Sequence, residues 1–263
     1  MKLSISSGGR HLLMDGRPFF WLGDTAWLLF QKLNEEEALA CLDDRAAKGF
    51  TVIQATLVHK AQYANPAGSP ALIGDDFSQP NPDTSAGAYW PQVRRIVDAA
   101  AERGMVMAPL PCWGCFVENG QLHGEKIERY SDFLADTFSD CENVIWLVGG
   151  DVRGSDAPGA FDQIGRSLRK KCPCHLIGYH PFGRCSSSRW FHDAPWLDFN
   201  MFQSGHRRYD QIRLNAWDDK VASEACYGED NYRYVQHDHA LLPAKPVLDG
   251  EPSYEGIPQG LHS

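Results

Sequence analysis

The chain has 263 residues with a formal net charge of -9, and this acidity excludes a phosphate-binding surface, because nucleic-acid binding is driven by basic residues that neutralise phosphates and release counterions. No stretch approaches the roughly 20 consecutive apolar residues that cross a bilayer, and Met1–Arg10 lacks the apolar run of an export signal. With 43% hydrophobic residues, the expectation is one globular domain over 1–263 that is cytoplasmic as written, or exported if its N-terminus is cropped, with neither nucleic acid nor membrane as a partner.

Apolar runs of strand length alternate with amphipathic segments from end to end, the pattern of repeated βα units around a parallel sheet. Seven strands are expected: Phe19–Gly23, Thr51–Leu57, Met105–Pro111, Asn143–Val148, His175–Tyr179, Leu197–Phe202 and Pro246–Leu248. The first helix starts at Asn34, an N-cap followed by Glu35, Glu36 and Glu37, and stops at Lys48-Gly49. A second opens at Trp90-Pro91 and ends at Arg103-Gly104. Between the second strand and this helix, Tyr63–Ala88 is rich in Pro, Gly, Asn, Asp and Ser and reads as a long loop.

The expected fold is α/β, a TIM-type (β/α) barrel with seven βα strands visible and the eighth unit missing. A barrel left open in this way exposes the edges of its first and seventh strands, so self-association across the open edge is one expected way of covering them. The eight cysteines include two close pairs, Cys112-x-x-Cys115 and Cys172-Pro-Cys174, neither at the spacing of a strong zinc motif. Free structural thiols are the expectation, with no metal and no cofactor.

Barrel enzymes assemble their active sites at the carboxyl ends of the strands. Those ends are polar here: Asp24 and Trp27 after the first, Gln54 and His59 after the second, Trp113 after the third, Asp151 after the fourth, His180 after the fifth, Asn200, Gln203 and His206 after the sixth, Asp249, Glu251 and Tyr254 after the seventh. Two carboxylates stand out. The run Trp146-Leu-Val-Gly-Gly-Asp151 breaks a buried strand at two glycines and then presents an acid, and Asp249-Gly-Glu251 ends another strand in the same way. Glycosidic cleavage uses such a pair, about 5–5.5 Å apart for retention and about 6.5–9.5 Å apart for inversion. Asp151 and Glu251 are the catalytic candidates. Asp24, Trp27, Gln54, His59, Trp113, His180, Asn200, Gln203, His206 and Tyr254 are expected to bind an oligosaccharide or glycoside, with His180, Asn200 and Tyr254 also able to tune the acids.

Two other readings fit parts of the pattern. A metal-dependent barrel hydrolase would draw on His59, His180, His206 and an acid, but there is no His-x-His after the first strand and no His-Glu-x-x-His helix to support it. A non-catalytic carbohydrate-binding remnant would follow from the missing eighth unit.

Four separated segments, Phe19-Phe-Trp-Leu-Gly-Asp-Thr-Ala-Trp27, Thr51-Val-Ile-Gln-Ala55, Trp146–Asp151 and Asp249-Gly-Glu-Pro-Ser-Tyr-Glu255, together resemble the apiosidase-like glycoside hydrolases, bacterial (β/α)8 barrels of the large retaining clan. The resemblance implies that Asp151 is the acid/base and Glu251 the nucleophile, and that the substrate lies in plant cell-wall pectin, with apiose as one target. Family members usually continue through an eighth βα unit, and often into a β-sandwich.

Overall fold

A computed structural model describes residues 1–60, 64–205, 231–254 and 256. The chain opens with an antiparallel meander of β1 (Leu3–Ile5), β2 (Leu12–Met14) and β3 (Arg17–Pro18), which the sequence reading did not anticipate. Seven parallel strands follow: β4 (Gly23–Thr25), β5 (Val52–Thr56), β6 (Val106–Leu110), β7 (Ile145–Val152), β8 (Leu176–Pro181), β10 (Asn200–Gln203) and β11 (Val247–Asp249). A short β9 (Cys185–Ser186) lies antiparallel on β10.

The strands stand side by side in chain order. Parallel ladders join β4 to β5, β5 to β6, β7 to β8 and β10 to β11. A parallel bridge between Met107 and Val144 links β6 to the start of β7, and the Asp198 N–H donates to Ile177 O to join β8 to the approach to β10. Among the described residues no backbone ladder closes β11 onto β4. The two are joined instead through side chains, with Gln54 Nε2 donating to Gly250 O at 2.7 Å.

Strand alternation explains why these runs are apolar on both faces. Val52, Val106, Ala108, Leu110, Ile145, Leu147, Leu176, Phe199 and Met201 form one buried cluster inside the barrel, and Leu3 and Leu12 of the meander join it. Ile53, Ala55, Met107, Trp146, Val148 and Ile177 belong to a second cluster shared with the helices. The meander therefore plugs the amino-terminal end of the barrel, which leaves the opposite end for the site.

The main outer helices are α2 (Glu35–Ala47), α3 (Tyr89–Glu102), α5 (Glu125–Phe138) and α6 (Pro158–Lys171), with α8 (Tyr232–His239) before the last strand. Short helices α1 (Leu29–Lys32), α4 (Cys115–Glu118) and α7 (Ser188–Phe191) fill turns between them. Helix α2 begins with the capping box its sequence announces: Asn34 Oδ1 accepts from Glu37 N and Glu37 Oε2 accepts from Asn34 N, both at 2.9 Å. No helix among the described residues is long and apolar enough to cross a membrane.

Three expectations need correcting or completing. The first barrel strand lies at Gly23–Thr25 rather than Phe19–Gly23; Phe20 is largely exposed, and this stretch is held instead by Thr51 Oγ1 donating to Phe20 O at 2.7 Å. The segment after β5 is irregular from 64 to 88 apart from a single 3-10 turn, yet it buries Ala71, Leu72 and Phe77 in the outer core, with Phe77 packed on Phe116 and Tyr130. Its Tyr63 end lies outside the described residues. Cys112, Cys115, Cys172 and Cys174 are all free thiols.

Candidate active site

Strand β7 delivers Asp151 through an irregular end. Gly149 (φ 99°), Gly150 (φ 109°) and Asp151 (φ 51°) all take positive φ, and the register against β8 shifts between Gly149 and Val152. Glycine is required at the first two positions. A Cβ on Gly149 would lie 2.4 Å from His180 O, and one on Gly150 would lie 2.9 Å from Leu110 Cδ2 and 3.0 Å from Gly114 N. This bulge turns Asp151 outward, where it is exposed, while its neighbours stay buried.

Glu251 arrives from the other side of the mouth, on the turn after β11, and is buried. Asp249 shapes that turn: its Oδ1 accepts the backbone N–H groups of Ser204 and Glu251, both at 3.3 Å, and its Oδ2 accepts Ser204 Oγ at 2.7 Å. Burial raises the Asp249 pKa, with the Ser204 hydrogen bonds pulling the other way.

Four groups converge on the Glu251 carboxylate. Gln203 Nε2 donates to Oε2 at 2.5 Å, His180 Nε2 lies 3.4 Å from the same oxygen, Trp27 Nε1 is 3.4 Å from Oε1, and Tyr254 donates its hydroxyl proton to Oε1. Trp27 Nε1 also donates to the Tyr254 hydroxyl at 3.0 Å. Gln203 Nε2 reaches Asp151 Oδ1 as well, at 3.0 Å. Fully buried, His180 would have a depressed pKa from desolvation alone, but Glu251, with help from Asp151 and Asp249, outweighs this and raises it.

Donor atoms of Asp151, His180 and Glu251 lie within 4.8 Å of one another, so these three are the described residues with donors for a cation. Hydrogen-bond donors of Gln203, Trp27 and Tyr254 already point at the carboxylates, which suits two anionic acceptors better than a metal sphere. His59 stands apart from this trio. Its ring packs at a tilt of 50° against Trp113 with centroids 4.9 Å apart, and burial lowers its pKa.

An aromatic wall completes the mouth. Trp113 meets Trp27 edge to face at 5.3 Å, and Trp27 meets His180 in the same way at 5.1 Å. A groove of about 430 Å³ runs along the seam between β4 and β11, past Trp21, Asp24 and Gln54, to Glu251 and Tyr254.

The structure thus brings together Asp151, Glu251, His180, Gln203, Trp27 and Tyr254, with Trp113 and His59 beside them, and places Gln54 at the seam. Two expected site residues stand away from the carboxylate pair. Asp24 lies within β4, not beyond it, and its carboxylate is held by Arg45 Nε at 2.5 Å. Asn200 begins β10 rather than following it, and pairs with His192 Nδ1 at 3.1 Å. The first strand ends at Thr25, two residues past the expected end, and Asn200 stands at the amino end of its strand, so neither residue lies beyond the strand that carries it. His206 lies outside the described residues. Ser204, Arg45 and His192 were not singled out in the sequence, because each acts on a partner that only the fold brings near.

The family model described as "Apiosidase-like, catalytic domain" matches residues 6–263. A comparison with curated proteins finds no match. A solved structure described as a glycoside hydrolase is 38% identical, with a TM-score of 0.91, covering 100% of this chain and 58% of that one. A glycoside hydrolase family 5 structure from Bacteroides vulgatus is 38% identical, with a TM-score of 0.89 and coverage of 100% and 56%. The chain thus spans little more than half the length of these relatives. The endo-1,4-beta-mannanase from Rhizomucor miehei is 15% identical, with a TM-score of 0.63 and coverage of 94% and 80%, a likeness of fold alone.

Proposed function

This chain belongs to the apiosidase-like catalytic-domain family, and on that premise we propose that it hydrolyses a glycosidic bond with retention of configuration, in an apiose-bearing pectic oligosaccharide. The observation that carries the mechanism is the approach of the Asp151 and Glu251 carboxyls to within 4.8 Å. That distance falls on the short side of the two spacings and leaves no room for the water that an inverting enzyme holds between its general base and the anomeric carbon.

Environment divides the roles. Glu251 is buried and receives hydrogen bonds from Gln203 and Tyr254, with His180 beside it. These contacts favour the carboxylate form that a nucleophile needs. Asp151 is exposed at the rim, where it can meet a leaving-group oxygen and then water. In the first step Glu251 attacks the anomeric carbon, while Asp151 gives its proton to the departing oxygen, so that one C–O bond forms as the other breaks. In the second, Asp151 takes a proton from water, the water oxygen bonds to the anomeric carbon, and Glu251 leaves as carboxylate. Trp113 and Trp27 offer aromatic edges and faces to the sugar ring.

The test is Glu251→Ala with an aryl apioside. Hydrolysis is expected to vanish, and added azide to restore turnover with an inverted glycosyl azide. Turnover at the wild-type rate without azide removes Glu251 from the mechanism. A panel of aryl glycosides run beside it decides the sugar, and a preference for a hexopyranoside over the apioside refutes the substrate assignment.

A further inference from the structure

We infer that Gln203 is a positioning residue whose one side-chain amide hydrogen-bonds both carboxyl groups at once, fixing their separation and favouring the ionised form of Glu251. The inference rests on the roles proposed for Asp151 and Glu251. Its basis is geometric: Nε2 lies 3.0 Å from Asp151 Oδ1 and 2.5 Å from Glu251 Oε2. A primary amide carries two N–H donors, one for each acid.

The orientation of the amide follows from charge. Turned over, Gln203 would aim its carbonyl at two carboxylate oxygens, and both contacts would become repulsive. The observed orientation carries its own cost, since Gln203 Oε1 is buried with no hydrogen-bond partner among the described residues. Local structure is arranged around that orphaned carbonyl. A Cβ on Gly183 would lie only 3.1 Å from Oε1, so the glycine keeps space for it.

The backbone under Gln203 is held from both sides. Its carbonyl accepts the Arg184 N–H at 2.7 Å, and the residue pairs with Cys185 of β9. On the other flank, Gly250 N donates to Phe202 O at 2.8 Å, tying the end of β10 to the turn that carries Glu251. The amide thus stands on a rigid base between the two acids. A side chain that merely contacted substrate would need neither reach.

Titration of the two carboxyl carbons by 13C NMR tests this without requiring turnover, with D151N and E251Q supplying the assignments. The other titratable groups facing Glu251 are His180, Tyr254 and, through the turn, Asp249, and none is altered by changing Gln203. In Gln203→Leu, which keeps the bulk and removes the donors, the Glu251 midpoint is expected to rise by about one pH unit. In parallel, kcat for an aryl glycoside is expected to fall at least about tenfold with KM little changed, and the acid limb of the rate profile to move upward.

Unmoved midpoints in a folded variant overturn the proposal, as does a loss confined to KM. If Gln203→Leu does not fold, Gln203→Asn supplies the same readout, because the shorter amide cannot span both acids. Shifted midpoints in a protein that hydrolyses no glycoside would instead refute the glycosidase reading and leave the positioning role standing.

Discussion

His180 stands 3.4 Å from Glu251 with its ring wholly buried, and neither of its nitrogens makes a well-formed hydrogen bond. The carboxylates around it raise its pKa despite burial, so the protonated ring is favoured more in the folded state than in the unfolded one. The linked stability is fully present below the unfolded value near 6.5 and is lost as pH rises through the raised folded value. Thermal melts of wild type and His180→Gln from pH 5 to 9 should show the largest gap at the acid end, shrinking as the pH climbs. A gap that widens toward alkaline pH refutes a charged His180.

Asp151→Asn separates proton donation from bond cleavage. For a glycoside with a poor alkoxide leaving group, kcat/KM is expected to fall by roughly a thousandfold, whereas a dinitrophenyl glycoside, which needs no proton, should lose less than about tenfold. Equal losses on both substrates would take the acid role away from Asp151. Because Asn tolerates the left-handed backbone as well as Asp does, the melting temperature should change little.

A second buried histidine makes stability depend on pH with the opposite sign. Trp146 Nε1 donates to His175 Nδ1 at 3.0 Å, and burial is the main force holding the His175 pKa down to about 4. A depressed histidine costs nothing above its unfolded pKa, and then subtracts stability as pH falls from about 6.5 toward 4, by up to about 3 kcal/mol. Urea titrations should show this slope in wild type and a shallower one in His175→Asn, which keeps an acceptor for Trp146 and cannot titrate. Parallel slopes would remove His175 as the cause.

Helix α6 crosses the outer core at Gly165, where an added Cβ would lie 2.2 Å from the Trp196 ring. Alanine improves helix propensity by about 1 kcal/mol, but overpacking costs about 1–3 kcal/mol. Gly165→Ala is therefore expected to lower the urea midpoint despite the better helix former. A raised midpoint would mean that Trp196 yields freely.

Much of this was legible in the sequence, for reasons particular residues make plain. The capping box at Asn34, the glycine stop at Gly49 and the doubly buried strands are local signals, and local signals survive translation into structure. Asp151 and Glu251 could be picked out as candidates because glycines mark the breaks in their strands. Asp24 and Asn200 were misplaced because strand ends are set by backbone pairing with the neighbouring strands, β4 on β5 and β10 on β11, rather than by composition. The amino-terminal meander was missed for a related reason: its strands span only two or three residues each, too short to show an alternation. The double reach of Gln203 has no signature in one dimension at all.

The left-handed backbone at Asp151 also constrains how this site can change over time. Of the two acidic residue types, only aspartate adopts that conformation readily, so on the role proposed for Asp151 the seat admits an acid in a single chemical form. The easiest neutral replacement is asparagine, which preserves the shape and deletes the proton. On the acid role proposed for Asp151, descendants that lost catalysis by this route would keep the backbone shape of that seat, and a single reversal would restore the acid.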